Sequence, residues 1–373
     1  MTNIVIGDDS TIFEEDYIDQ FGIHITASQP VSVYGLCYYP AMSWGFTGWP
    51  TPMLGTNYCV LARPSFYTQL GSAGYSQFAI LGTASHTTVT ILPSAAANLA
   101  TNTGSNSLFT ITLQPGSTYQ IESLNNTDDV TGTWIRSDKP IAVFAGASLA
   151  CLPNENTAAG NPLVQELLPV SSWGNQALSR SFGRPGGDSY RVLSATNAAV
   201  VITTTNGALT TNLVGGQPYD IILDGPVEFQ ANNPIQVAQF ALGGSTDTNN
   251  YYPQGFGDPC EILLPPTGHY LTSYTVAIGT NDGVTGDFNT NFLNLIVPQS
   301  AILATVMDGA SITNFVSLAN FEQVGSSGYS AARIPVAPGS THRISSSQPA
   351  ELEVYGFGYY DAYSYIAGTV VFP

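Results

Sequence analysis

The sequence predicts an all-β protein of about three tandem β-sandwich-like repeats, each roughly a hundred residues long, plus an N-terminal partial repeat. Three observations carry this reading. Only 9% of the 373 residues are charged, against roughly 25% in a typical soluble protein. Gly, Thr, Ser, Asn and Pro take their place, which suits strands joined by tight turns, and no long stretch shows helical apolar spacing flanked by charges. One pattern also recurs four times: a polar residue before a proline, a short β-prone run, then small residues.

The four copies are "SQPVSVYGLC" from Ser28, "SDKPIAVFAGASLAC" from Ser137, "NNPIQVAQFALGG" from Asn232 and "SQPAELEVYGFG" from Ser347, with prolines Pro30, Pro140, Pro234 and Pro349. Shortly before the last three stand "QPGSTYQI" (114–121), "GGQPYDII" (215–222) and "APGSTHRI" (337–344). A Pro-Gly or Gly-Gly turn followed by polar–apolar alternation is a hairpin signal, so each unit is expected to close with a hairpin. Upstream lie pairs of strand candidates: "FAILG" with "TTVTILP", "YRVLSAT" with "AAVVITTT", and "FLNLIVP" with "ILATVMDG". Downstream of the first three prolines come strands ending in proline, "VLARP", "ELLPV" and "ILLPP", with Pro64, Pro169 and Pro265 as counterparts, followed by Tyr67, Trp173 and Tyr270. Proline cannot donate to a ladder, so these read as edges. The expected divisions are 1–59 (partial repeat and aromatic loop), 60–150, 151–259 and 260–373 (full repeats). A β-propeller is the alternative, since eight strands also make two four-stranded blades.

Eight basic residues against 26 acidic ones give a formal charge of −18. No basic patch can form, which excludes phosphate-based nucleic-acid binding and disfavours anionic membranes. No apolar run approaches the roughly 20 residues of a membrane span, so no membrane insertion is expected. "MTNIVIGDDS" lacks the basic and apolar regions of a secretory signal. The expectation is a secreted or cell-surface piece of a larger exported protein with an added Met1; the alternative is a virion or filament component.

The stretch "VQELLPVSSWGNQ" (164–176), preceded by "GTWIRSDKPIAVFAGASLAC", resembles the N-terminal domain of the IgGFc-binding protein family of mucus and bacterial surface proteins. That family joins a P-(I/V)-x-V strand, a Cys-bearing loop and E-Q-L-L-P-V-S-S-W-G; here Gln165 and Glu166 stand in swapped order. "GDPCEILLPP" (257–266) is similar to its GDP…LPP segment. The likeness runs from about residue 11 to 361, and it implies an extracellular, non-catalytic, all-β binding or adhesion module.

Candidate chemistry is sparse. His24, His86, His269 and His342 are far apart in sequence, without HxH, HxxxH or CxxC spacing, and no G-x-S-x-G elbow occurs. The chain is therefore read as non-enzymatic, a glycan-acting enzyme ranking third. No cofactor is expected except calcium, for which Asn281, Asp282, Asp287 and Asn289 in "GTNDGVTGDFNTN" are candidate ligands; the alternative is a polar hairpin turn. "CYYPAMSWGFTGWPTPMLGTNYC" (37–59) gathers Tyr38, Tyr39, Trp44, Phe46, Trp49 and Tyr58 in one long connection, and Tyr251 and Tyr252 occupy a comparable one. Such aromatics either bind a glycan or glycoprotein ligand or fill seams between units. In the competing class, a structural subunit of a filament, surface layer or virion, they bury against copies of the same chain. Four cysteines allow three disulfide pairings. Positions within the repeat favour Cys37–Cys59 across one loop and Cys151–Cys260 as a staple between units; four buried free thiols are the alternative.

Overall fold

The computed structural model describes residues 2, 4–6, 16–67, 73–100, 107–154, 160–246, 256–284 and 286–369. Its regular structure is strand with short 3-10 turns, and among the described residues no helix is long and apolar enough to cross a membrane.

Three antiparallel sheets, I, II and III, hold eight, seven and eight strands. Each is organised around one long strand: Trp134–Ala150, Pro226–Phe240 and Thr341–Gly358. The landmark prolines Pro140, Pro234 and Pro349 lie inside these strands, where the chain changes partners. In sheet I, residues 134–137 pair with Thr87–Leu92 while residues 141–147 pair with Ser76–Gly82. On the other edge Gly55–Cys59 serves the first arm and Asn161–Glu166 the second. Sheets II and III repeat the scheme, with residues 232–234 and 346–349 left out of the ladder. The break makes proline tolerable in a central strand, because at that place no N–H is required. Both arms feed one core: Ile135 and Val143 share a buried cluster with Phe78 and Val89. The sheet therefore curls over itself at the proline, as the sandwich-like reading requires. A propeller would need separate four-stranded blades, which this pairing does not make.

The expected closing hairpin is corrected by the register. Thr118–Glu122 and the long strand both pair with Ser76–Gly82, which lies between them. Asp188–Ser194 and Thr290–Pro298 are flanked in the same way. The hairpins that do form include Thr87–Leu92 with Phe109–Leu113 and Ala198–Thr204 with Gly207–Leu213.

The proline counterparts also shift. Pro50, Pro169 and Pro266, all extended, lead into the 3-10 turns Thr51–Met53, Val170–Ser172 and Thr267–His269. The segment 60–64 around Pro64 is not a strand. These joints stack on one another: a Cβ on Gly55 would lie 2.5 Å from Pro169, and one on Gly174 2.3 Å from Pro266.

The N-terminal segment divides between distant places. Tyr17–Asp19 extends sheet I beside Thr118–Glu122. Val33–Cys37 and Trp44–Gly48 form a two-stranded ribbon seated on the third unit. The Tyr34 ring lies 4.5 Å from Tyr365 and its hydroxyl donates to Ala367 O (2.6 Å); Thr47 donates to Ile366 O.

The stacked joints generate a prediction. Gly55→Ala and Gly174→Ala each force a methyl group into a proline ring and should cost about 1–3 kcal/mol, read as a lowered Tm. Gly268→Ala, which has open space around it, should leave Tm in place. Equal Tm values for all three variants would show that the joints are not close-packed.

Candidate functional site

The last strand of each unit, together with Trp44–Gly48 of the N-terminal ribbon, meets the others along a common axis. Asn161, fully enclosed at the start of Asn161–Glu166, donates from Nδ2 to three backbone carbonyls, those of Ser43 (2.6 Å), Pro259 (2.9 Å) and Ala362 (3.1 Å). Each belongs to a different one of the other three segments. One layer along, Gln165 Nε2 donates to Gly45 O (2.9 Å) and Glu261 O (2.7 Å), and Ser364 Oγ to Glu261 O (2.8 Å). Gly45 allows this approach, since a Cβ there would lie 3.0 Å from Ser364 O.

The loops leading into these strands gather at one end of the axis and are tied together. Ser43 donates through N and Oγ to the Asp361 carboxylate (2.9 and 2.8 Å). Gly257 N donates to Gly358 O (2.7 Å), and Phe256 bridges to Tyr359. On this tied base stand Tyr39, 60% exposed, and Tyr359, 62% exposed, the latter with its ring 4.6 Å from that of Tyr360.

A family model described as IgGFc binding protein matches residues 45–356. The chain belongs to the IgGFc-binding family. A human relative named IgGFc-binding protein is 25% identical over 270 residues, covering 70% of this chain and 4% of the relative's own length.

In this family member the aromatic candidates go to different surroundings. Tyr58 is fully enclosed; its hydroxyl donates to Ile141 O (2.7 Å) and accepts from Gly55 N (2.9 Å). It offers a ligand no surface, which corrects its assignment as a binding residue. Tyr274 makes the same pair of bonds in the third unit, with Leu271 N and Ala350 O. Trp49 donates from N to Glu166 Oε2 and from Nε1 to Glu166 O, both at 2.8 Å, and packs against the first core. Phe46 meets Phe144 edge-on at 5.5 Å and Tyr38 meets Phe288 at 6.4 Å. Trp44 is half-buried, and Tyr251 and Tyr252 lie outside the described residues.

Asn281, Asp282 and Asn289 are exposed and Asp287 is half-buried. Asp282 Oδ1 accepts from Val284 N (2.8 Å), Asn281 Nδ2 donates to Asn289 Oδ1 (2.7 Å), and Asn281 bridges to Asp287. Among the described residues no group of three His, Cys, Asp or Glu could hold a metal ion.

None of the four cysteines forms a disulfide in this structure, which corrects both expected pairings. Cys37 ends a ribbon strand opposite Trp44, on the side of the third unit, whereas Cys59 pairs with Trp134 in the first core. Cys151 NH donates to Ser65 O, while Cys260 packs in a separate cluster with Phe182 and Tyr355. Burial pushes the thiols of Cys59 and Cys260 up to about 12 and that of Cys151 up to about 11. With the disulfides goes the cysteine argument for export.

Sequence reasoning missed the seam arginines. Arg63 and Arg184, each followed by proline, stack on Phe240 and Phe357 of the next unit at 5.0 and 4.9 Å. Arg191 spans the first seam to Asp129 (2.6 Å) and Ala62 O (2.6 Å), and Arg180 the second to Glu322 (2.6 Å). The available signal was the repeated Arg-Pro in a chain with only eight basic residues.

Carboxyls buried on the axis and seams are displaced toward the neutral form. Burial pushes Glu166 and Glu261 up to about 8, against the Trp49 N–H bond in one case and the Arg63 and Arg191 charges in the other. Burial likewise raises Asp361 to about 6, Asp188 to about 7 and Asp258 well above its ordinary range. Glu351 and Glu353, side by side on one face of their strand, are both raised, chiefly by burial.

Two predictions follow from the axis. Asn161→Ala strands three buried carbonyls and should cost at least about 2 kcal/mol in chemical denaturation; an unchanged midpoint would show that the amide is dispensable. The axial carboxyls bind protons more tightly folded than unfolded. Their contribution is complete below their unfolded value of 4.5 and is lost as pH rises through about 8. Tm should therefore fall between about pH 5 and pH 9. Glu261→Gln should flatten that slope and raise stability at the alkaline end by at least about 1 kcal/mol, the worth of one pKa unit. Identical slopes for the two proteins would show that Glu261 is ionised at no cost.

Proposed function

We propose that this chain is a non-catalytic extracellular binding module that receives a protein or glycoprotein ligand on the loop end of its axis. The observation that carries this is the contrast at that end. Loops as far apart as Ser43 and Asp361, 318 positions in sequence, are held by buried hydrogen bonds, while Tyr39 and Tyr359 stand exposed above them. Aromatic side chains on a preorganised base are what binding hot spots use, because little further ordering is needed on contact. The human relative is named for binding IgG Fc, which makes Fc the first ligand to test. Fc carries glycans, so native and deglycosylated Fc distinguish recognition of sugar from recognition of protein.

The test is binding of the purified chain to immobilised native and deglycosylated Fc, with Tyr39→Ala and Tyr359→Ala as variants. Each variant should bind about tenfold more weakly, equivalent to about 1.4 kcal/mol, with Tm unchanged. Full binding by both variants would move the ligand away from the loop end. Absence of binding by the unaltered chain to either Fc form would remove Fc as the ligand. A concentration-dependent assembly lost in both variants would instead assign the aromatics to contacts between copies.

A further inference from the structure

The seam between the first and second units holds an open cavity of about 400 Å³, within the size range of small-ligand sites. Its polar lining is Arg63, Ser189, Arg191 and Asp220, and its apolar lining includes Phe66, Pro153, Ile221 and Ile222. The two arginines are served unequally. Arg191 takes the Asp220 carboxylate as a fork, Nε to Oδ1 at 2.8 Å and Nη2 to Oδ2 at 2.7 Å, and adds Asp129 at 2.6 Å. Arg63, 5% exposed, reaches the same carboxylate only at 3.2 Å and Ser189 Oγ at 3.1 Å, both through Nη1. Its Nε is buried without a partner, and among the described residues no hydrogen bond engages Nη2. Burial, and after it the neighbouring Arg191 charge, pulls the Arg63 pKa down to about 10, as happens to a buried cation short of acceptors. Phe240 supports the guanidinium from one face at 5.0 Å, so its donors are held in place before any ligand arrives.

We propose that this cavity binds the terminal carboxylate of a peptide whose last side chain is apolar, with Arg63 as the carboxylate's partner. The lining decides the class of ligand. A bare carboxylate such as acetate would use the guanidinium and leave the apolar walls in water. A sugar acid would bring several hydroxyls against Phe66, Pro153 and Ile221, where they would lose water without gaining partners. A chain end supplies both parts, two charged acceptor oxygens for Arg63 and an apolar body for the walls. The local charges balance, two arginines against Asp129 and Asp220, so affinity comes from short charge-assisted hydrogen bonds rather than from excess positive charge. The net charge of −18 opposes the ligand only weakly, because salt screens charges farther than about 8 Å away. The cavity shares no residue with Tyr39 or Tyr359, so this site goes beyond the loop-end reading and its test needs no Fc.

The probe is a fluorescent glycine–serine peptide ending in leucine, made as the free acid and as the amide, and titrated into the whole chain. The free acid should bind saturably, and the amide about tenfold more weakly. Arg63→Gln should lose binding of the free acid. Since that variant also disturbs the seam, Ile222→Glu gives an independent reading at a position 48% exposed. Its added negative charge should weaken the free acid about fivefold with Tm unchanged. Equal binding of acid and amide, or no binding of either, would overturn the proposal. Full binding by Ile222→Glu would place the peptide elsewhere and overturn it too. Saturable binding of glucuronic acid, with the peptide acid unbound, would assign the cavity to sugar acids instead.

Discussion

The amide of Asn161 joins three carbonyls that lie 118, 98 and 201 positions away in sequence. Four strands arriving at one axis bring their backbone groups into a space that water does not reach. There an unmatched carbonyl costs much of what the burial gains. An apolar side chain of equal size would fill the volume and leave those carbonyls dry. One small amide, placed at the start of Asn161–Glu166, reaches a carbonyl of each of the other three segments. Its geometry also selects one arrangement of the four segments over slipped alternatives, since a shifted strand would bring the wrong atom to the amide.

Around that axis the units meet by a repeated rule. Glycine against proline at the joints, and arginine against phenylalanine at the seams, relate the first unit to the second as the second is related to the third. The rule has an electrostatic consequence. Arg63, Arg180, Arg184, Arg191 and Arg333 lie in seams, so few basic groups remain to offset the acids on the surface. Burial displaces Glu166, Glu261, Glu351 and Glu353 toward the neutral form. These four favour the folded state most when they are neutral, whereas the exposed acids contribute to the net charge.

How much of this can be read from sequence depends on how local the chemistry is. Proline's missing N–H acts at its own position, so the four landmarks and the all-β class are legible. The belonging of "ELLPVSSWG" to this family is legible for the same reason. The insertion of Ser76–Gly82 between two strands that follow it is not, because alternation looks the same whichever neighbour a strand chooses. The aromatic run from Tyr38 to Tyr58 reads as one loop, yet its members divide among the third unit, the first core and open solvent. Spacing placed Cys37 and Cys59 across one loop. A disulfide requires Cα atoms within about 7 Å, and Tyr34, held by Tyr365 and Ala367, carries the strand of Cys37 to another unit. Asn161 itself reads as one asparagine in a polar loop.

The direction of the strands decides at which end of the axis the connecting loops emerge. Every long strand runs toward the same end before turning into its last strand, so the loops after Cys37, Ala150, Phe240 and Gly358 emerge together. The opposite end of each last strand leads at once into a proline-stacked joint, or for Asp361–Ile366 into Ala367, whose carbonyl Tyr34 already holds. A change of loop length at the joint end would break the stacking of Pro169 on Gly55 and of Pro266 on Gly174. At the other end it would alter only what stands above the Asn161 and Asp361 contacts. The fold thus confines tolerance of new sequence to one end, above a base fixed by hydrogen bonds. This division between a fixed base and variable loops is the physical condition for a binding face.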